Sequence, residues 1–268
     1  MKISRKILLC VPNSLTLCNS LCGFAAILYA LTVYEPSLRG AEREALGVFA
    51  ICAWIILFAM IFDALDGFSA RLLNATSLHG IQMDSLSDMV TFGLAPAVVA
   101  AIMTHWMMAD MQKISLWYNF VTYTLCAIYV GGAALRLATY NVHALLEKKS
   151  DELFTGLPSP GAAAGICSVV LVWGRFSDRL EPLVIWLPAY AAVLGLLMVS
   201  PAPYFHVGKY LVSLKQNPRR RLWTALTVAV LALTQLPGLV ILLNCYIFGS
   251  PLIWLFRKLS RAGRERAA

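Results

Sequence analysis

Phe62 to Ala97, FDALDGFSARLLNATSLHGIQMDSLSDMVTFGLAPA, is the stretch whose reading decides the fold. It carries Asp63, Asp66, Asp84 and Asp88, four of the 14 acidic residues in a chain that is 59% apolar. Asp63 and Asp66 close an apolar run from Leu46 to Met60. Asp84 and Asp88 open another that continues through Val98 to Met103. Positions i, i+3, i+4 and i+7 share one face of a helix. Asp63, Asp66, Gly67 and Ala70 therefore form one stripe, and Asp84 and Asp88 form a second. Two helix ends joined by a short turn near Asn74 to Gly80 aim four carboxylates at one spot.

Carboxylates at membrane depth are costly and mark functional sites. Four together repel unless protonated or bridged by cations. Mg²⁺ or Mn²⁺ answers that need, because hard cations take oxygen ligands and leave positions for water and phosphate oxygens. Gly67 and Ala70 keep the stripe bare, so a bulky ligand reaches the backbone. Arg71 adds a fixed positive charge one turn beyond Gly67, suited to a phosphate oxygen. The bland alternative is an ion-paired helix junction, but the segment offers one Arg to four Asp.

The rest of the chain sets this stretch in a membrane. Over 268 residues only 13% are charged, and the mean hydropathy is +0.71. Such a composition predicts an all-α, polytopic transmembrane bundle, with residues 1–268 as a single domain. The net charge of +8 does not indicate nucleic-acid binding, since the basic residues gather in loops and tails. The seven cysteines are scattered with no CxxC, so neither a disulfide framework nor a zinc site is expected. Cys18 and Cys22 share a helix face inside an apolar run, where packing is the natural role. The four histidines show no ligand spacing. The start, MKISRKILLC, continues into an apolar run without a small-residue cleavage site, which reads as a retained first span.

Eight apolar stretches lie near 14–33, 46–72, 81–105, 116–140, 159–175, 182–200, 221–236 and 238–257. About eight spans are thus expected, although Pro237-Gly238 reads either as a turn between two spans or as a kink in one long helix. With both termini cytoplasmic, the inner segments collect 17 of the 22 Lys and Arg residues. Arg39, Arg43, Lys113, Arg175 and Arg179 remain outside. This obeys the positive-inside rule and puts the Asp cluster at the cytoplasmic face. Arg219-Arg220-Arg221 and the basic tail fix topology against anionic headgroups. Trp106, Trp117, Trp186, Trp223 and Trp254 lie near span ends as interfacial anchors.

Asp63-x2-Asp66-Gly67-x2-Ala70-Arg71-x8-Gly80-x3-Asp84-x3-Asp88 resembles the signature of the CDP-alcohol phosphotransferase family. Further elements narrow the resemblance: Leu135-Arg136-Leu137-Ala138 with Asn141, Gly156-Leu157-Pro158-Ser159-Pro160 before a run of small residues, and Ser200 to Tyr204. Together they are similar to the bacterial phosphatidylserine synthase branch, with Thr139-Tyr140 where that branch has Arg-Phe. The resemblance implies transfer of a phosphatidyl group from CDP-diacylglycerol to L-serine in the bacterial cytoplasmic membrane, and a homodimer. It implies two Mn²⁺ or Mg²⁺ ions held by Asp63, Asp66 and Asp84, with Asp88 sharing or flanking them. Asp88, last in the signature, is expected as general base. Gly67, Ala70, Gly80 and Arg71 are expected around the nucleotide and phosphates. Asn13 and Thr16 join them, because members often begin with a similar Pro-Asn-x-x-Thr element. Arg136, Asn141 and Ser159 are the expected acceptor side, since serine brings a carboxylate that needs a cation. The alternatives are another acceptor (glycerol 3-phosphate, inositol phosphate or choline), a cation transporter, and a catalytically dead scaffold, against which the intact four-Asp set argues.

Overall fold

The computed structural model describes residues 5–38, 42–73, 77–110, 115–145, 156–204 and 218–265. Every regular element among them is helical. In chain order these are α1 (Arg5–Leu31), α2 (Glu42–Leu72), α3 (Leu78–Asp88), a π-turn (Met89–Leu94), α4 (Ala95–Asp110), α5 (Leu116–Leu145), α6 (Ser159–Val184), α7 (Leu187–Val199) and α8 (Pro218–Glu265). Among the described residues five helical segments are long and apolar enough to cross a membrane: Cys10–Tyr34, Arg43–Leu72, Leu78–Ala109, Leu116–Val142 and Leu236–Ser260. Ser159–Trp173 and Leu187–Val199 are shorter apolar helices.

The exterior explains why water is the wrong solvent for this bundle. Phe24, Trp54, Phe58 and Phe120 are each more than half exposed, on three different helices. So many bare aromatic side chains fit a lipid-facing surface. The protein is an integral membrane protein. Trp117 and Trp186 are exposed near helix ends, as interfacial anchors would be. The side chains of Trp223 and of Arg219-Arg220-Arg221 lie outside the described residues, as do Lys148 and Lys149.

Small residues set the internal contacts. Lipid supplies no hydrophobic drive between helices, so close backbone approach and buried hydrogen bonds must hold them. α1 packs most extensively on α2, α5 on α7, and α2 on α6. At the α5–α7 crossing a Cβ added to Gly132 would come 2.8 Å from the Gly195 Cα. At the crossing of α1 with the π-turn, a Cβ on Gly23 would lie 2.6 Å from the Thr91 Cα. α8 docks through Tyr190 Oη, which donates to Asn244 Oδ1 (3.0 Å), and Tyr204 Oη, which donates to the Ile247 carbonyl (2.9 Å).

One alternative left open by the sequence is decided, and one boundary differs from expectation. The last two apolar stretches lie on one helix, because α8 runs unbroken through Pro237-Gly238. Proline removes one ladder bond there without ending the helix. At about 1.5 Å per residue, its 48 residues extend well beyond a hydrocarbon core of about 30 Å. The turn after α2 is also shorter than Asn74 to Gly80. α3 starts at Leu78, with Ser77 as N-cap accepting the Gly80 N–H at 3.0 Å. Gly80 therefore sits inside the helix, while residues 74–76 lie outside the described residues. His79 is exposed in the first turn of the same helix.

Candidate active site

α2 ends and α3 begins on the same side of the bundle, so their acids meet. Asp63 and Asp66 stand nine and six residues before the last residue of α2, and Asp84 stands six residues after the first of α3. At about 1.5 Å per residue this buries the carboxylates roughly 9–14 Å from the helix ends. One carboxylate oxygen from each of Asp63, Asp66 and Asp84 lies within 4.8 Å of the others. Asp66 is buried, and the other two are half-buried. Asp66 Oδ2 and Asp84 Oδ1 are buried with no hydrogen-bond partner.

Those orphaned oxygens are the test of whether a cation fits. Buried carboxylate oxygens without donors are costly, and three carboxylates converging add mutual repulsion. A hard divalent cation removes both costs at once, and an all-oxygen donor set suits Mg²⁺ or Mn²⁺. The residues present therefore fit a divalent cation.

Asp88 adjoins this trio. Its carboxyl lies within hydrogen-bonding reach of Asp63 and close to Asp84, while its Oδ1 accepts a hydrogen bond from Asn19 Nδ2 on α1 at 3.2 Å. It is the last residue of α3, and the helix widens immediately after it. In the π-turn the Ala95 N–H reaches back five residues to the Val90 carbonyl. Tyr129 Oη from α5 donates to the Phe92 carbonyl at 2.7 Å. Such a turn inserts an extra residue and re-aims the faces before and after it, a device frequent at functional sites.

The expected ligand-binding residues divide in the same way. Thr16 is buried beside Asp66, and its hydroxyl also donates to the Pro12 carbonyl (3.0 Å). Asn13 stands next to Gly80, whose added Cβ would lie 3.8 Å from Asn13 Oδ1. Gly67 is exposed, and an added Cβ there would meet only Arg71 Nη2 at 4.0 Å. Ala70 is half-buried one turn further along the stripe. Arg71 folds back, its Nε donating to the Gly67 carbonyl at 2.9 Å. Only the outer edge of its guanidinium is left for a phosphate.

On the other side Asn141 Oδ1 accepts from Ser85 Oγ at 2.7 Å, tying α5 to α3 between two of the acids. Arg136, one and a half turns before it, is half-buried within electrostatic reach of Asp88, Tyr140, Tyr204 and Tyr246. Burial pushes the Tyr204 phenol up to about 12, so it stays neutral. Ser159 is buried at the first position of α6. The preceding Gly156, at φ +87°, and Leu157 donate their N–H groups to the Ala202 and Leu197 carbonyls. That places the Ser159 loop beside the segment carrying Tyr204.

Known proteins are similar to this chain in sequence. The profile of the CDP-alcohol phosphatidyltransferase family matches residues 9–199, which include every helix that contributes an acid. The chain belongs to the CDP-alcohol phosphatidyltransferase family. It is 28% identical over 251 residues to a CDP-diacylglycerol–serine O-phosphatidyltransferase of Helicobacter pylori, covering 91% of each chain. To the Bacillus subtilis protein of the same name it is 28% identical over 200 residues, 75% of this chain and 92% of the relative. It is also 30% identical over 170 residues to an archaetidylserine synthase of Methanothermobacter thermautotrophicus, covering 63% of this chain and 60% of that one. In the CDP-alcohol phosphatidyltransferase setting, the acids of α2 and α3 are the candidate centre for a divalent cation and phosphate.

Sequence reasoning found the four acids but not the residues that hold Asp88. Asn19 follows Asn13 and Thr16 at the same spacing of three, yet its partner is an acid 69 positions away. Ser85, Ser87 and Thr91 gave a weaker signal. They are hydroxyls at spacings two and four in a stretch otherwise read for its carboxylates.

Proposed function

We propose that this chain transfers the phosphatidyl group of CDP-diacylglycerol to the hydroxyl of L-serine, giving phosphatidylserine and CMP. The observation that carries the reading is the convergence of Asp63, Asp66 and Asp84 oxygens within 4.8 Å, inside a membrane bundle and on the family's spacing. The relatives support the acceptor. The bacterial and archaeal names differ in the lipid and share the serine.

Asp63, Asp66 and Asp84 would hold Mg²⁺ or Mn²⁺, two ions per site, which when bound neutralise phosphate oxygens and favour departure of CMP. The remaining work falls to the chain's own groups. Asp88, held beside the trio, takes the proton of the serine hydroxyl as that oxygen bonds to the phosphatidyl phosphorus and the bond to CMP breaks. The open surface at Gly67 and Ala70, with Asn13, Thr16 and Gly80, receives the cytidine end, and the outer edge of Arg71 meets a phosphate. Arg136 takes the serine carboxylate, with Asn141 and Ser159 on the same side.

A lipid substrate also has somewhere to go. Cys18, Leu21, Cys22 and Ala25 of α1 and Ile51, Trp54, Ile55, Phe58 and Phe62 of α2 line an open apolar groove of ≈ 750 Å³ on the surface of the bundle. The stripe Ile51, Ile55, Phe58, Phe62 continues four residues on to Asp66, so an acyl chain leads directly to the acids. The excess of Lys and Arg in the inner segments favours a site facing the cytoplasm of a bacterial inner membrane.

The test is CMP release by purified protein given CDP-diacylglycerol and Mn²⁺, with serine, glycerol 3-phosphate or inositol phosphate added singly. Release dependent on serine is expected. Release with a different alcohol would move the chain to another acceptor, and no release from folded protein with any acceptor would refute the reading.

A further inference from the structure

Asn19 is fully buried in the middle of α1, where an apolar side chain would pack at no cost. Its Nδ2 donates to Asp88 Oδ1, while its Oδ1 is buried without a hydrogen-bond partner. Burying half an amide unsatisfied is unfavourable, so this residue is poorly explained by stability.

The backbone of Asn19 is held as well: Thr91 Oγ1, three residues after Asp88, donates to the Asn19 carbonyl at 2.8 Å. Ser87 Oγ makes a separate contact between the same segments, to the Thr16 carbonyl at 2.8 Å, and does not touch Asn19. Gly23, one turn beyond Asn19, permits the approach, since any Cβ there would strike Thr91. The π-turn then starts at Met89, so the backbone on the far side of Asp88 is redirected as well.

An amide is the suitable group for this task. It donates to a carboxylate without bringing a positive charge that would weaken it as a base. We infer that Asn19 is a positioning residue, which holds one Asp88 oxygen so that the other is presented to the acceptor hydroxyl. This rests on the reading of Asp88 as base given above. In the step the hydroxyl proton passes to Asp88, the hydroxyl oxygen bonds to phosphorus and CMP departs, while Asn19 gains and loses nothing. A misaimed base should lower turnover and leave substrate binding intact.

The experiment compares wild type, Asn19→Ala, Asn19→Ser and Ser87→Ala, purified in detergent. It reads steady-state CMP release with serine and the thermal midpoint with and without Mn²⁺. Asn19→Ala should lose about ten- to a hundredfold in kcat, with both KM values within about twofold and the Mn²⁺-induced stabilisation unchanged. Asn19→Ser, which keeps a short donor, should recover part of the loss. Ser87→Ala cuts a neighbouring contact between the same helices and should keep kcat within about twofold. If Asn19→Ala does not fold, Asn19→Ser carries the test, and a lowered kcat at unchanged KM is again required. Wild-type kcat in the variant that folds, a loss confined to KM, or an equal loss in Ser87→Ala would overturn the inference. Failure of the reaction reading looks different: wild type itself, stabilised by Mn²⁺, would release no CMP in response to serine.

Discussion

At the residue scale the four acids have two kinds of surroundings. Asp63, Asp66 and Asp84 share a cluster of oxygens within 4.8 Å, whereas Asp88 is bonded to an amide of α1. Asp88→Asn is therefore expected to lower kcat by about 10²–10⁴-fold, the range of general base catalysis, while Mn²⁺ still raises the thermal midpoint. Asp66→Asn should do the reverse in binding, abolishing the Mn²⁺-induced shift in midpoint because a buried ligand oxygen is lost. Calorimetry or fluorescence melting of the two variants checks both. The spacing of the acids was legible because helix periodicity assigns faces. Their division was not, because it depends on a partner 69 residues away and on a π-turn that no period reveals.

Elements explain how these side chains are held. Gly131 and Gly132 are adjacent on α5 yet face opposite surroundings. A Cβ on Gly131 meets nothing within 4 Å, whereas one on Gly132 strikes the backbone at Gly195. Gly131→Ala should thus be neutral or stabilise by up to about 1 kcal/mol through helix propensity. Gly132→Ala should destabilise by about 1–3 kcal/mol, as overpacking does. Thermal midpoints measured side by side decide it. Between α1 and α2 the apolar groove gives a functional counterpart: Ala25→Trp should raise the KM for long-chain CDP-diacylglycerol several-fold and spare the KM for serine. Cys18 and Cys22, read from sequence as packing residues, line that groove. Helix identity was thus visible from apolar runs, while the groove between two helices and the continuity of α8 across Pro237-Gly238 needed tertiary structure.

For the whole molecule, composition already specified a helical membrane bundle, and the exposed aromatic side chains of α1, α2 and α5 agree with it. α2 carries both Asp63 and Asp66 of the carboxylate cluster and one wall of an apolar groove, which suits a substrate with acyl chains and a pyrophosphate. Charge placement predicts that the cluster and the C-terminus face the cytoplasm, so a reporter that is active only in the cytoplasm should be active when fused after Ala268, and one that is active only outside should be silent. The most direct measurement is incorporation of labelled serine into lipid by purified protein with CDP-diacylglycerol, titrated with Mn²⁺ after chelation. Label should enter phosphatidylserine only as metal is restored, and not at all in Asp66→Asn. Equal incorporation in the chelated protein, or in Asp66→Asn, would contradict the assignment of the acid cluster as the centre of the reaction.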